Sequence, residues 1–283
     1  MSHVCPIPKS SPPDTENLRP ISLLPLPGKI LESFVLQSVY KNFIANYGEN
    51  QFGSRPLSST TCAVIKLVHH ALTLLESPGV LGVQIVAYDY SKAFDVLSHE
   101  IIVKRLYKIN FPTHFVECIK DYLDGRSQAV RVSSTVSNTT QVTSGVPQGS
   151  VLGPALFCLV AGSCKSLNSS TCLVQYVDDT TLCMPMYKDQ DNHHIRNEHE
   201  NLLSWSSVNG LKVNNKKCKS ICITKSSSIQ EVPLDGVSNS SQIKLLGVVI
   251  NNKLTWDDHV EYVFKVASKR IYAIRLLKRI ISG

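Results

Sequence analysis

Two hydrophobic periods alternate along this chain, and the points where one gives way to the other mark its elements. After Gly28, the residues Ile30, Leu31, Phe34, Val35, Ser38 and Val39 fall at helical spacing. Residues 59–75 repeat that period, with Val64, Leu67, Val68, Ala71 and Leu75 on one face and Ser58 or Ser59 as N-cap. Pro78-Gly79 predicts a turn and 83–88 an apolar strand. Helices are predicted over 99–107, over 113–123 with a stop at Asp124-Gly125, from Pro154 as first residue to about 165, and over 194–208. Residues 128–132 and 140–143 alternate apolar and polar, which predicts a hairpin. Residues 172–177 and 180–183 predict two short strands, and 219–224 and 243–250 two more around a Ser-rich loop. Residues 256–281 predict one or two basic amphipathic helices. Pro6, Pro8, Pro12, Pro13, Pro20, Pro25 and Pro27 predict an irregular, extended start. The sum is α+β, with helices segregated from an antiparallel sheet.

Composition adds limits rather than direction. A chain of 283 residues suits one large domain or two smaller ones. The balance of 29 basic against 22 acidic residues, +7, fits a polyanionic partner and equally fits plain solubility. Residues 1–13 lack the apolar core of a signal peptide, and the longest apolar stretches are too short or interrupted to span a bilayer. Nine cysteines without regular spacing predict reduced thiols and an intracellular protein, nuclear or cytoplasmic. His193, His194 and His199 lie near Cys183, but no Cys-x-x-Cys pair supports a zinc site.

The chemistry concentrates at Tyr176-Val177-Asp178-Asp179, where two predicted strands meet, and at Asp89, which ends the strand 83–88. Adjacent carboxylates among apolar neighbours repel and lose hydration, and a divalent cation removes both penalties. Neighbouring side chains on a strand point to opposite faces, so a tight turn must aim both carboxylates into one space. Two carboxylate-bearing strand ends facing each other suit two Mg²⁺ ions and in-line phosphoryl transfer. An Asp-Asp turn is also a common surface connector, and the pair alone leaves both readings open. Asp179-Thr180-Thr181 lacks the Gly of an aspartic-protease loop.

Further blocks stand around these residues in a fixed order. They are Pro6-Ile7-Pro8-Lys9, Arg19-Pro20-Ile21-Ser22-Leu23-Leu24, Gln51-Phe52-Gly53-Ser54-Arg55 and Asp89-Tyr90-Ser91-Lys92-Ala93-Phe94-Asp95. After them come the segment 144–154, the Asp pair, the segment 210–217, Leu246-Gly247-Val248 and Leu254-Thr255-Trp256. With these blocks the chain resembles the reverse transcriptase domain of non-LTR (LINE-like, jockey-type) retrotransposons over nearly its whole length. The resemblance implies right-hand polymerase fingers and palm with an antiparallel palm sheet over 1–250, and a partial thumb, basic and helical, over 251–283. It implies an RNA-directed DNA polymerase that adds deoxynucleotides to a DNA primer on an RNA template, with two Mg²⁺ ions or Mn²⁺ as the alternative.

The resemblance also assigns roles. Asp89, Asp178 and Asp179 hold the metals, the first two as main ligands, and the Tyr90 carbonyl also reaches one. Lys9 and Arg19 neutralise the triphosphate, and Arg55 contacts phosphate or template. Phe94 matches an aromatic gate against a ribose 2′-hydroxyl, and Gln148 touches the incoming nucleotide and template. Gly149 allows close backbone approach, and Gly247 sits in the hairpin that grips the primer end. Lys217 matches a lysine that protonates the departing pyrophosphate, with Lys216 and Lys212 as competitors. Lys265, Lys269, Arg270, Arg275, Lys278 and Arg279 give the last helix a basic face for duplex phosphates. Each has an ordinary reading too: Phe94 as a core ring, the cations as solvated surface charges.

Three departures from the family stand out. Val177 replaces the usual Ala, Ser54 an aromatic, and 161–165 a customary Ile-Asn-Asp-Leu. None removes a metal ligand. One rival reading is a truncated, inactive nucleic-acid-binding protein with the same fold. Another is an RNA-templated RNA polymerase, disfavoured by Phe94 and by Tyr-Val-Asp-Asp.

Overall fold

The structure is a computed structural model that describes residues 2–9, 14, 18–188, 192–225 and 229–281, without the side chains of 279–281. Its Pro-rich start, expected to be irregular, forms two paired strands. β1 (Ser2–Pro8) and β2 (Leu18–Leu23) run antiparallel with Pro6 opposite Pro20. The two missing donors therefore share one rung of the ladder, and β2 is an edge strand, where proline is tolerated. Then follow α1 (Leu26–Asn46), α2 (Thr60–Glu76), β3 (Val80–Tyr88), α3 (Ala93–Val96), α4 (His99–Lys108), α5 (Thr113–Leu123), β4 (Ser127–Val132), β5 (Thr135–Val136), β6 (Thr140–Gln141) and α6 (Leu152–Ala161). The chain continues through β7 (Cys172–Tyr176), β8 (Asp179–Tyr187), α7 (His193–Val208), β9 (Lys219–Thr224), β10 (Ser238–Asn239), β11 (Gln242–Leu245), β12 (Val248–Asn251) and α8 (Asp257–Ile281).

Two sheets carry the fold. The first has the order β2-β1-β4-β5, with β6 also on β4. The second, β10-β9-β3-β8-β7, is antiparallel except at its β10 edge, and is the expected palm sheet. Its central strand β3 is apolar on both faces because helices cover both. Val83 and Ile85 pack with Ala63, Leu67 and Ala71 of α2, whereas Val86 and Tyr88 pack with Ile195 and Leu202 of α7. A third cluster joins α1, α4, α5 and α6 around Phe43, Leu106, Ile119 and Leu156.

Three expectations need correction. α1 buries only part of the face read from its periodicity: Val39 is buried and Val35 packs on the core, but Ile30, Leu31 and Phe34 are exposed, and Phe43 is buried beyond the residues read. Apolar residues surround this helix, so their spacing could not select a face. Buried Glu32 instead accepts the N–H groups of Val151 and Leu152 at 2.6 and 3.1 Å, capping α6 from outside. That external cap lets α6 begin at Leu152 rather than at Pro154. The strand expected over 243–250 is a hairpin, β11 and β12, turning at Leu246 (φ 50°) and Gly247 (φ 91°). The last segment is one helix, α8.

The β7–β8 turn is held from elsewhere in the chain. Tyr176 pairs with Asp179, so Val177 and Asp178 form a two-residue loop in which Val177 has φ 58°. A β-branched residue resists that conformation. Gln51, 1% exposed, clamps it: Oε1 accepts the Val177 N–H at 2.9 Å, and Nε2 donates to the Val177 carbonyl at 3.3 Å. Gln51 Oε1 also accepts the Gly53 N–H at 2.9 Å. A Cβ on Gly53 would lie 2.5 Å from Val177 Cγ2 and 2.6 Å from Val177 N. Gly53→Ala is therefore expected to lower unfolding free energy by about 1–3 kcal/mol. Denaturant titration beside wild type measures it, and an unchanged midpoint would contradict the tight contact.

Candidate active site

Strand register brings the acidic residues together. Tyr88 pairs with Thr180, so Asp89, one residue on, adjoins Asp179 at the start of β8. The segment after α7 secures the same strand end: Asn214 N–H donates to the Asp89 carbonyl, and Ser91 N–H to the Lys212 carbonyl, both at 2.8 Å. This lacing delivers Lys217, whose Nζ lies 3.7 Å from Asp89 Oδ2.

These residues line one open cavity of about 550 Å³. Its wall holds Asp89, Asp178 and Asp179, and also Lys9, Arg19, Lys92 and Lys217. Tyr90, Phe94 and Gln148 complete much of the rest. Phe94 is backed by Phe157, with ring centroids 4.9 Å apart. Gln148 donates from Nε2 to Asp95 Oδ1 at 3.0 Å, and its carbonyl accepts the Ser22 N–H of β2 at 2.7 Å.

The carboxylates feel one another. Burial, then the Asp178 and Asp89 charges, pushes Asp179 up to about 6. Asp178 is also raised, mainly by burial and further by Asp89, while Lys9 and Arg19 act in the opposite sense. Among the described residues, no three His, Cys, Asp or Glu side chains are gathered closely enough to hold a metal ion as they stand. The donor set nevertheless suits a hard divalent cation: three carboxylates on one cavity, repelling each other, with space beside them for further oxygen ligands.

Other expected residues lie elsewhere. Arg55 does not line this cavity; its Nη2 donates to the Gly48 carbonyl at 2.6 Å. Gly149 (φ 104°) backs onto β2, where a Cβ would lie 3.0 Å from the Ser22 carbonyl oxygen. Gly247 turns the β11–β12 hairpin, whose Leu246 borders a second cavity of about 280 Å³. That cavity shares Asp89, Asp179 and Lys217 with the first and adds Lys219 and Lys244. Lys212 and Lys216 line neither. His199 bonds through Nδ1 to the Tyr88 hydroxyl at 2.9 Å and through Nε2 to the Asp235 carbonyl at 3.1 Å. The basic residues of α8 lie on an exposed helix, apart from Arg279, which falls outside the described side chains.

Sequence reasoning passed over Lys92, Gln51 and Asp95. Lys92 stands inside a quoted block, and a charge three residues after a strand-end carboxylate was the available signal. Gln51 and Asp95 act through tertiary hydrogen bonds, which local pattern does not encode.

Comparison with known proteins agrees with this geometry. The sequence pattern described as "Reverse transcriptase (RNA-dependent DNA polymerase)" matches residues 7–250. The chain is 30% identical over 270 residues to the probable RNA-directed DNA polymerase from transposon X-element of Drosophila melanogaster, covering 89% of this chain and 29% of that protein. It is 27% identical over 272 residues to the RNA-directed DNA polymerase from mobile element jockey of Drosophila funebris, covering 89% of this chain and 29% of that one. This chain thus spans under a third of the length of these relatives. Telomerase from Candida tropicalis, solved with a TWJ fragment of telomeric RNA, matches 90% of this chain and 44% of its own, with a TM-score of 0.65 at 13% identity. At that identity the match speaks for the fold alone. With its fingers and palm so arranged, the chain belongs to the reverse transcriptase (RNA-dependent DNA polymerase) family, on the LINE-like, non-LTR side.

Proposed function

We propose that this chain extends a DNA primer on an RNA template, taking deoxynucleoside triphosphates into the cavity of about 550 Å³. The observation that carries the reading is the composition of that wall: three carboxylates together with four cations, Lys9, Arg19, Lys92 and Lys217. A triphosphate needs cations around its oxygens, and the reacting phosphorus needs charge compensation close to the carboxylates. Asp89, Asp178 and Asp179 would hold two divalent cations, Mg²⁺ or Mn²⁺. Bound there, such ions supply charge neutralisation and a more acidic primer hydroxyl.

The chain's own side chains do the remaining work in this proposal. Lys9 and Arg19 bind the triphosphate from the fingers side. Lys217 holds a proton at Nζ for the departing pyrophosphate. Phe94, braced on Phe157, sets the floor beneath the sugar, and Gln148 orients the base. Residues 251–283 begin the thumb, and the basic face of α8 tracks duplex phosphates.

Primer extension with labelled deoxynucleotides tests the reading. Incorporation is expected with Mg²⁺, and Asp178→Asn should reduce it at least about a thousandfold, the scale lost when a key electrostatic stabiliser is removed. That variant should still bind primer–template. Binding by wild type without incorporation would instead favour a catalytically inactive nucleic-acid-binding protein. Phe94→Ala is expected to raise ribonucleotide use relative to deoxynucleotide use by about tenfold or more, as removing a close steric contact allows. An unchanged ratio would remove Phe94 from that role.

The raised carboxyl group gives a pH signature. Burial and the neighbouring carboxylates push Asp179 up to about 6 in the fold, against about 3.9 unfolded, so the folded state holds an extra proton between those values. Stability without divalent cation should therefore fall as pH rises through that window. Asp179→Asn should flatten the slope, and Mg²⁺ should restore stability above it. Thermal melting of both proteins across the window checks this, and identical slopes would refute it.

A further inference from the structure

We propose that Asp95 is a positioning residue for Gln148 and thereby sets the chain's affinity for the incoming deoxynucleotide. The inference rests on the proposed polymerase reading. Asp95 itself does not line the nucleotide cavity, but Gln148 does. The Gln148 amide is anchored by a hydrogen bond from Nε2 to Asp95 Oδ1 at 3.0 Å. Its backbone carbonyl is anchored separately, by Ser22 of β2 at 2.7 Å. Gln148 is thus tied to the fingers sheet through its main chain and to α3 through its side chain.

The loop carrying Gln148 is built around Asp95. Ser144 Oγ donates to the Asp95 carbonyl at 3.2 Å, and Gly145 passes so close that a Cβ would lie 2.6 Å from that oxygen. Gly145 N–H donates to the Leu97 carbonyl at 2.8 Å and Val146 N–H to the Phe94 carbonyl at 2.7 Å. The proposed sugar gate and the proposed base-orienting amide therefore belong to one hydrogen-bonded unit. Asp95 fixes the rotamer of its polar end. The carboxylate is half-buried, and burial raises it above the usual carboxylate range, while the Gln148 hydrogen bond and then the Lys92 and Lys9 charges act in the opposite sense. Without that acceptor the amide loses its fixed orientation while the loop keeps its main-chain bonds.

The test is kinetic and binding analysis of five proteins: wild type, Asp95→Ala, Asp95→Asn, Gln148→Ala and Asp95→Ala/Gln148→Ala. Asp95→Ala should raise the deoxynucleotide KM about tenfold, the loss of one charge-assisted hydrogen bond, with kcat changed far less. Asp95→Asn keeps Oδ1 as acceptor and should restore most of the affinity. The double variant should be no weaker than Gln148→Ala alone, because both changes remove the same interaction. Equilibrium binding of deoxynucleotide to the primer–template complex with a chain-terminated primer should follow the same order. Independent effects in the double variant, or an unchanged KM in Asp95→Ala, overturn the proposal. Nucleotide binding that follows this order across the variants, with no incorporation by wild type, overturns the polymerase reading and leaves the Asp95 assignment standing. A wild type that does neither overturns both.

Discussion

Repulsion among Asp89, Asp178 and Asp179 is the constraint around which the rest of this molecule is arranged. Three carboxylates on one cavity wall, two of them raised by burial and by their neighbours' charges, carry an electrostatic cost. A flexible scaffold would relieve that cost by moving apart. Here the strand ends cannot move: β3 is paired on both sides and covered on both faces by α2 and α7. The β7–β8 loop is pinned by Gln51 through both polar groups of Val177. Burial first, and then the charges of Asp178 and Asp89, raise Asp179 to about 6, a preference for protons or cations built into the site.

The same rigidity explains the unusual backbone at Val177. A residue at φ 58° in a two-residue loop would ordinarily be Gly or Asn, and a valine there is strained. Yet Val177 packs its side chain against the helical core near Gly53, so a smaller residue would lose that contact. Strain at one dihedral is exchanged for packing and for a fixed direction of the next two side chains. Such over-determination is expected where the direction of a carboxylate matters more than local comfort.

Much of this was legible in the sequence, and the gaps share one cause. Periods of two and of three to four gave β9, α4, α5 and α7 nearly to the residue, because each packs one continuous element against a sheet or a helix layer. The three carboxylates were legible because strand ends are recognisable and the blocks recur in order. What failed depended on partners distant in sequence. The buried face of α1 is chosen by the carboxylate of Glu32, which satisfies the start of α6, not by apolar spacing. The first strands form by pairing with each other, in a register that sets Pro6 opposite Pro20, and no single-segment rule foresees that partner.

The two cavities flanking the carboxylates carry the argument one step further. Asp89, Asp179 and Lys217 belong to both, whereas Lys9 and Arg19 border only the larger and Lys219 and Lys244 only the smaller. On the proposed reading a polymerase must seat two anionic strands of chemistry on either side of one acidic centre, the triphosphate and the primer end. Each seat needs its own cations, because sharing one set would draw both anions to the same place. Lys244 is also turned to α8, with Nζ 2.6 Å from the Tyr262 hydroxyl and 4.2 Å from its ring centroid. Asn251 of β12 donates to Asp258 of α8 at 2.7 Å. Hairpin and helix are thus tied by side chains, and on the proposed reading a shift of α8 along a duplex would reach the smaller cavity through Lys244, and the larger one through the shared Asp89 and Lys217.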